Sequence, residues 1–172
     1  MSGVLRIAGV VFVAAMLQVT IVSSLDLFGG TPDLLLVTLV SIALIRGAVV
    51  GAVAGFLGGL LVDAATLGTL GTFALLFTVA GYWAGRYGET TGRGRAHAPL
   101  VAVAALTVGV AVGGFALHFM LGEDVWARHA LFETLVPALV LNVALALPVY
   151  GACRALIPPT EPQRAREVEF GV

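Results

Sequence analysis

Lysine is absent from the 172 residues, cysteine occurs once, and charged residues of both signs make up only 11% of the chain. A water-soluble domain carries about a quarter charged residues, so the deficit leaves too little polar material to cover a globule in water and excludes a soluble enzyme. The lone Cys153 excludes an intramolecular disulfide, and no Cys/His cluster stands at metal-ligand spacing, so redox and structural-metal roles have no support and no cofactor is expected. A basic patch for nucleic acid, a Gly-rich phosphate loop and a repeat of about 20 to 50 residues are also missing. All nine basic residues are Arg, as a GC-rich bacterial genome would encode.

What is present is apolar: 59% of residues, with a mean hydropathy of +1.04. A membrane span needs about 20 residues to cross roughly 30 Å of hydrocarbon. The length therefore predicts an all-α, polytopic bundle of six transmembrane helices with short connections and no appended ATPase or kinase module. Arg6 followed by the apolar run Ile7 to Val19 could be taken for a secretory signal, with Val22-Ser23-Ser24 as a cleavage site. The stretch is longer than a signal core and more apolar segments follow, so it reads as a retained first span, about Arg6 to Leu25.

Asp26, Gly29, Gly30 and Pro32 break the pattern, and Leu34 to Val62 is then interrupted only by Arg46. As one helix this stretch would be about 44 Å long and would put Arg46 near mid-bilayer. Two shorter helices hinged at Arg46-Gly47 are the better reading, each too short to span at a tilt, so they must thin the bilayer or sit partly inside the bundle. A fourth helix ends at about Tyr82-Trp83, whose rings suit the headgroup zone. A fifth covers about Pro99 to Leu121 and a sixth about Leu131 to Leu156, which Pro158-Pro159 end. The division is a membrane domain, 1–158, and a short polar tail, 159–172, expected to be disordered.

Charge tests this count. With both termini in the cytoplasm, Arg6, Arg46, Arg86, Arg93, Arg95, Arg154, Arg164 and Arg166 lie inside and Arg128 outside, as the positive-inside rule requires. Merging the second and third helices would put Arg93 and Arg95 opposite Arg6 and destroy the asymmetry.

Gly47, Gly51, Gly55, Gly59 and Asp63 recur at intervals of four in the third span. Residues four apart share a helix face, so this is a small-residue groove that a second backbone can approach closely. It reads first as helix packing within the chain, with contact to a partner helix as the alternative. Asp63 reads either as an interfacial turn residue held by backbone amides or as a structural or partner-binding group. Asp33 has a plainer role, capping, at the start of the second span, where Thr31 can also cap, Pro32 suits the first turn and an acid suits the amino end. Gln18 reads as an interhelical hydrogen bond.

Chemistry finds no constellation. Asp63 follows Gly59-Leu60-Leu61-Val62 and not the Gly-x-Gly of an intramembrane aspartyl protease, and Ser23, Ser24 and Ser41 lack a Gly-x-Ser-x-Gly setting. His97 and His129 fall in connections, and His118 reads as an interfacial or bundle-satisfied residue and not a proton relay. Glu133 and Asn142 are nine residues apart on the sixth helix and so face opposite ways. Pro137 and Pro148 permit static kinks there.

Over residues 15 to 90 the order Leu17-Gln18, Gly30-Thr31-Pro32-Asp33-Leu34-Leu35-Leu36, Gly55-Phe56-x-x-Gly59-Leu60-Leu61-x-Asp63, Leu70-Gly71 and Gly81-Tyr82 resembles the MreD family of rod-shape-determining proteins. The second half is similar only in offering two more spans. The resemblance implies a non-enzymatic scaffold of the bacterial inner membrane that associates with the single-span protein MreC. It further implies work alongside MreB, RodA and a class B penicillin-binding protein in cell elongation. Pro32, Asp33, Gly55, Gly59, Asp63 and Gly71 match the family pattern. The expected mechanism is that the Gly groove and the Asp33/Asp63 corner receive the MreC helix. Gly55→Leu with Gly59→Leu should then abolish co-purification while the bundle still inserts. The competing class is the substrate-binding subunit of an energy-coupling-factor vitamin transporter, also a six-helix protein of this length.

Overall fold

The computed structural model describes residues 2–20, 30–66, 70–91, 97–120, 122 and 127–157. They form six helices: α1 (Ser2–Thr20), α2 (Leu34–Arg46), α3 (Ala48–Thr66), α4 (Thr72–Thr91), α5 (Ala98–Met120) and α6 (Ala127–Leu156). The loop around Asp26, the Arg93/Arg95 connection and the tail 159–172 lie outside the described residues, as do the side chains of His118, Arg128, His129 and Glu133.

The hinge falls where the length argument puts it. Helix α2 stops at Arg46, Gly47 takes φ +97°, and α3 restarts at Ala48. A non-glycine side chain is strained at that backbone angle, so Gly47 divides an apolar stretch that would otherwise continue as one rod.

Thirteen residues make α2 only about 20 Å long, short of the roughly 30 Å hydrocarbon layer. Its answer is to sit inside the bundle: every residue from Leu35 to Ile45 is buried. A helix apolar on all sides belongs in a core. Helices α1, α3, α4, α5 and α6 all pack against α2 and form a ring around it, in the order α1, α3, α4, α5, α6. The ring is loosest between α6 and α1, where Gly9, Val13, Ala152 and Leu156 line a groove of about 690 Å³.

Four helices, α1, α3, α5 and α6, are long and apolar enough to cross a membrane. Their outward faces carry exposed Val4, Phe12, Val49, Phe56, Val108 and Val140, more exposed apolar side chains than a protein in water presents. Helix α4 departs from expectation. It runs eight residues beyond Trp83, through Arg86 and Glu89 to Thr91, because hydropathy marks where hydrocarbon ends and backbone hydrogen bonds continue past that level. Tyr82 and Trp83, exposed and packed edge to face, therefore lie within the helix and not at its end.

Hydroxyls in the core bond backward to the preceding turn, Thr38 Oγ1 to the Leu34 carbonyl at 2.8 Å and Ser41 Oγ to that of Val37 at 2.7 Å. Among the described residues no buried side-chain nitrogen or oxygen is left without a partner. In hydrocarbon this matters more than in water, since no solvent can satisfy a stray polar group.

Candidate functional site

The glycine groove of α3 is filled by α4. A Cβ on Gly51 would meet the Gly81 carbonyl oxygen, one on Gly55 that of Phe77, and one on Gly59 the Ala74 Cα at 2.5 Å. The contact is reciprocal, since Cβ atoms on Gly81 and Gly85 would strike Gly51 and Ala48. Gly47 joins the same contact at its end, against Gly85. The two backbones thus touch along the whole hairpin: the groove is filled by packing within the chain, as its first reading has it, and does not stand open for a partner's helix. Leucine at Gly55 and Gly59 would part α3 from α4, so the bundle would be damaged before any partner was tested.

Each helix of this hairpin is capped by an acid from the far end of the other. The Asp63 carboxylate, 1% exposed near the end of α3, accepts from the backbone N–H groups of Gly71 (2.9 Å), Phe73 (3.1 Å) and Ala74 (3.0 Å), where α4 begins. At the opposite end, Glu89 in the last turn of α4 accepts from the Ala48 N–H at 3.0 Å, where α3 begins. Both carboxylates face the positive ends of helix dipoles and satisfy amides that have no intrahelical partner. Gly71, at φ +100°, makes the turn that points its amide at Asp63. Of the two readings left open for Asp63, the geometry is that of the turn residue held by backbone amides. Glu89 is a residue that sequence reasoning missed. Its neighbour Arg86, at 3.4 Å, makes an exposed pair of small worth.

A second polar cluster gathers around the turn before α2. Asp33 is the N-cap, with Oδ1 accepting from the Leu36 N–H at 2.9 Å. The cap is therefore Asp33 itself, one position before Leu34, as the capping reading of this acid expects, and Thr31 stands outside it. Gln18 on α1 grips the same turn from both sides, its Oε1 accepting from the Leu34 N–H at 2.8 Å and its Nε2 donating to the Pro32 carbonyl at 3.2 Å. From α6, Asn142 Oδ1 accepts from the Asp33 N–H at 2.7 Å while its Nδ2 donates to Thr107 Oγ1 of α5 at 3.1 Å. Asn142 is 1% exposed. One turn thus ties α1, α2, α5 and α6 together.

Next to this network lies a cavity of about 310 Å³ lined by Gln18, Asp33, Phe73, Thr107, Thr134 and Asn142. Phe73, whose amide Asp63 holds, lines the same cavity as Asp33, while the two acids expected to form one corner bond different helix starts. Among the described residues no three His, Cys, Asp or Glu side chains come together as a metal site.

The fold and its polar groups define a membrane protein of packed helices in which carboxylates and amides hold helix ends together. The sequence model of the family described as rod shape-determining protein MreD matches residues 3–157, and the chain belongs to that family. The match extends through α5 and α6, beyond the residues that carry the resemblance in the sequence. Comparison with curated proteins and with solved structures returns no match.

Proposed function

We propose that this chain is a multi-pass scaffold of the bacterial inner membrane, with six spans and both termini cytoplasmic, that serves rod-shape determination without catalysing a reaction. It binds MreC through that protein's single span and, in a larger assembly, works with RodA, a class B penicillin-binding protein and MreB. The observation that carries the reading is the family match over residues 3–157. It is supported by the use of the polar side chains: buried Asp63 and Asn142, half-buried Gln18 and Asp33, and exposed Glu89 each bond a helix end or a turn of this same chain. A rigid platform needs such contacts.

One observation favours the transporter-subunit reading: the cavity beside Asp33 and Asn142 falls at the small end of ligand-pocket sizes. Affinity purification of the tagged full chain from native membranes in mild detergent, followed by mass spectrometry, separates the two. MreC and cell-wall synthases are the expected companions. Recovery of ATPase subunits with a coupling membrane protein would overturn the scaffold reading.

A further inference from the structure

The face of α3 turned away from α4 forms, with α1, a groove of about 720 Å³ walled by Ile7, Phe12, Val49, Val53 and Leu57. Among the described residues that line it, Arg46 alone is charged, and it stands at one end. Its guanidinium lies across the first turn of α1, where a Cβ on Gly3 would stand 2.9 Å from Nη2. Arg6, three residues further along α1 and exposed, flanks the same turn on the side of the α1/α6 groove.

We propose that this groove holds one anionic phospholipid, with an acyl chain along α1 and α3 and the headgroup phosphate at Arg46. From Val49 to Ala64 the groove runs about 22 Å along α3, longer than the roughly 15 Å hydrocarbon depth of one leaflet. It therefore takes a whole chain whose headgroup stays at the Arg46 end. A guanidinium at the mouth of an apolar channel complements a phosphate and repels a cation. A partner's transmembrane helix is disfavoured there by the same charge. Its own cytoplasmic flank is basic under the positive-inside rule, and in the orientation proposed above, on which this comparison rests, that flank would meet Arg46.

The test is native mass spectrometry of the purified full chain in detergent, titrated with phosphatidylglycerol or with phosphatidylcholine. Phosphatidylglycerol should be retained about fivefold more strongly, the worth of one arginine near a lipid surface. Arg46→Gln should erase that preference, and Arg154→Gln, the same charge change at an exposed site on α6 outside this groove, should leave it. Ala8→Phe, which fills the groove from an exposed wall position, should remove binding of both lipids even if Arg46→Gln proves unstable. Millimolar inorganic phosphate should not displace the bound lipid. Equal retention of the two lipids, displacement by inorganic phosphate, or photo-crosslinking from position 53 to a protein in native membranes would overturn the proposal. The titration uses the purified chain alone, so its failure leaves the co-purification result standing, and a failed co-purification leaves the titration informative.

Discussion

Between α3 and α4 the contact is made by backbone: Gly51, Gly55 and Gly59 meet Ala74, Phe77 and Gly81 with no side chain between them. Around the turn before α2 the contact is made by side chains, with Gln18, Thr107 and Asn142 reaching in from three helices. Lipid tails are as apolar as leucine, so the hydrophobic effect does not draw helices together inside a bilayer. Close approach and hydrogen bonding remain, and the bundle uses one on each side. The zipper tolerates nothing larger than hydrogen along its line. The amide cluster tolerates shape changes but needs its donors and acceptors matched.

The largest difference between the two regions should appear on adding atoms. Gly55→Leu should destabilise by about 3 kcal/mol or more, because overpacking is relieved by moving neighbours and the neighbour here is the Phe77 backbone. Unfolding in mixed detergent micelles measures it, and a variant within about 1 kcal/mol of wild type would mean that α3 and α4 are not in contact as described.

Removing an acceptor comes next. Asp63→Ala leaves three amide donors at the start of α4 without a partner. The expected loss is about 2 to 3 kcal/mol, above an ordinary N-cap deletion because the site is buried. Asp63→Asn keeps one acceptor oxygen and should lose roughly half as much. Equal losses for the two variants would show that charge and not amide capture holds the hairpin.

The amide cluster should respond more mildly. A double-mutant cycle on Asn142→Ala and Thr107→Ala reads the coupling across the 3.1 Å bond between α5 and α6. Interhelical hydrogen bonds in membranes average about 0.6 kcal/mol, and a value in that range is expected. Zero coupling would dissolve the contrast drawn above, since α5 would then join the core by apolar contact alone.

The sequence made one region far more legible than the other. A groove of small residues at intervals of four is local and periodic, so Gly51, Gly55 and Gly59 announced a close contact. Nothing local announced that α4 would fill it. Gly81 and Gly85 carry the complementary spacing, but Tyr82, Trp83 and Arg86 among them read as the end of a span. Glu89 was hidden for the same reason, and its bond to Ala48 joins residues 41 apart. The hinge was legible because Arg46 cannot sit at mid-bilayer and Gly47 can turn the chain. The α2 turn was legible as a helix start, and Gln18 as a polar contact. Their meeting with Asn142 was not, because the Asp33–Asn142 bond spans 109 positions and no one-dimensional pattern encodes it. Six helices followed from length and charge, whereas burial of α2 followed from its shortness only as one of several accommodations.

The smallest expected effect is also the most discriminating. Gly9 on α1 and Gly109 on α5 have nothing within 4 Å of where a Cβ would stand. Alanine relieves the backbone entropy that glycine loses in a helix, so Gly9→Ala and Gly109→Ala should leave the isolated bundle unchanged or stabilise it by up to about 0.5 to 1 kcal/mol. Gly58 lies between the extremes. Its Cβ would stand 3.1 Å from Val11 Cγ1 and 3.3 Å from Leu35 Cδ1, side-chain ends that need give by only a few tenths of an ångström, so its alanine variant should cost less than that of Gly55, which meets backbone. If Gly9→Ala unfolds normally yet loses MreC on purification, the neighbour missing at Gly9 is supplied from outside this chain. If it costs the isolated chain more than about 1 kcal/mol, that space is closed by this chain itself, and the ring around α2 is tighter than the open Cβ position at Gly9 implies.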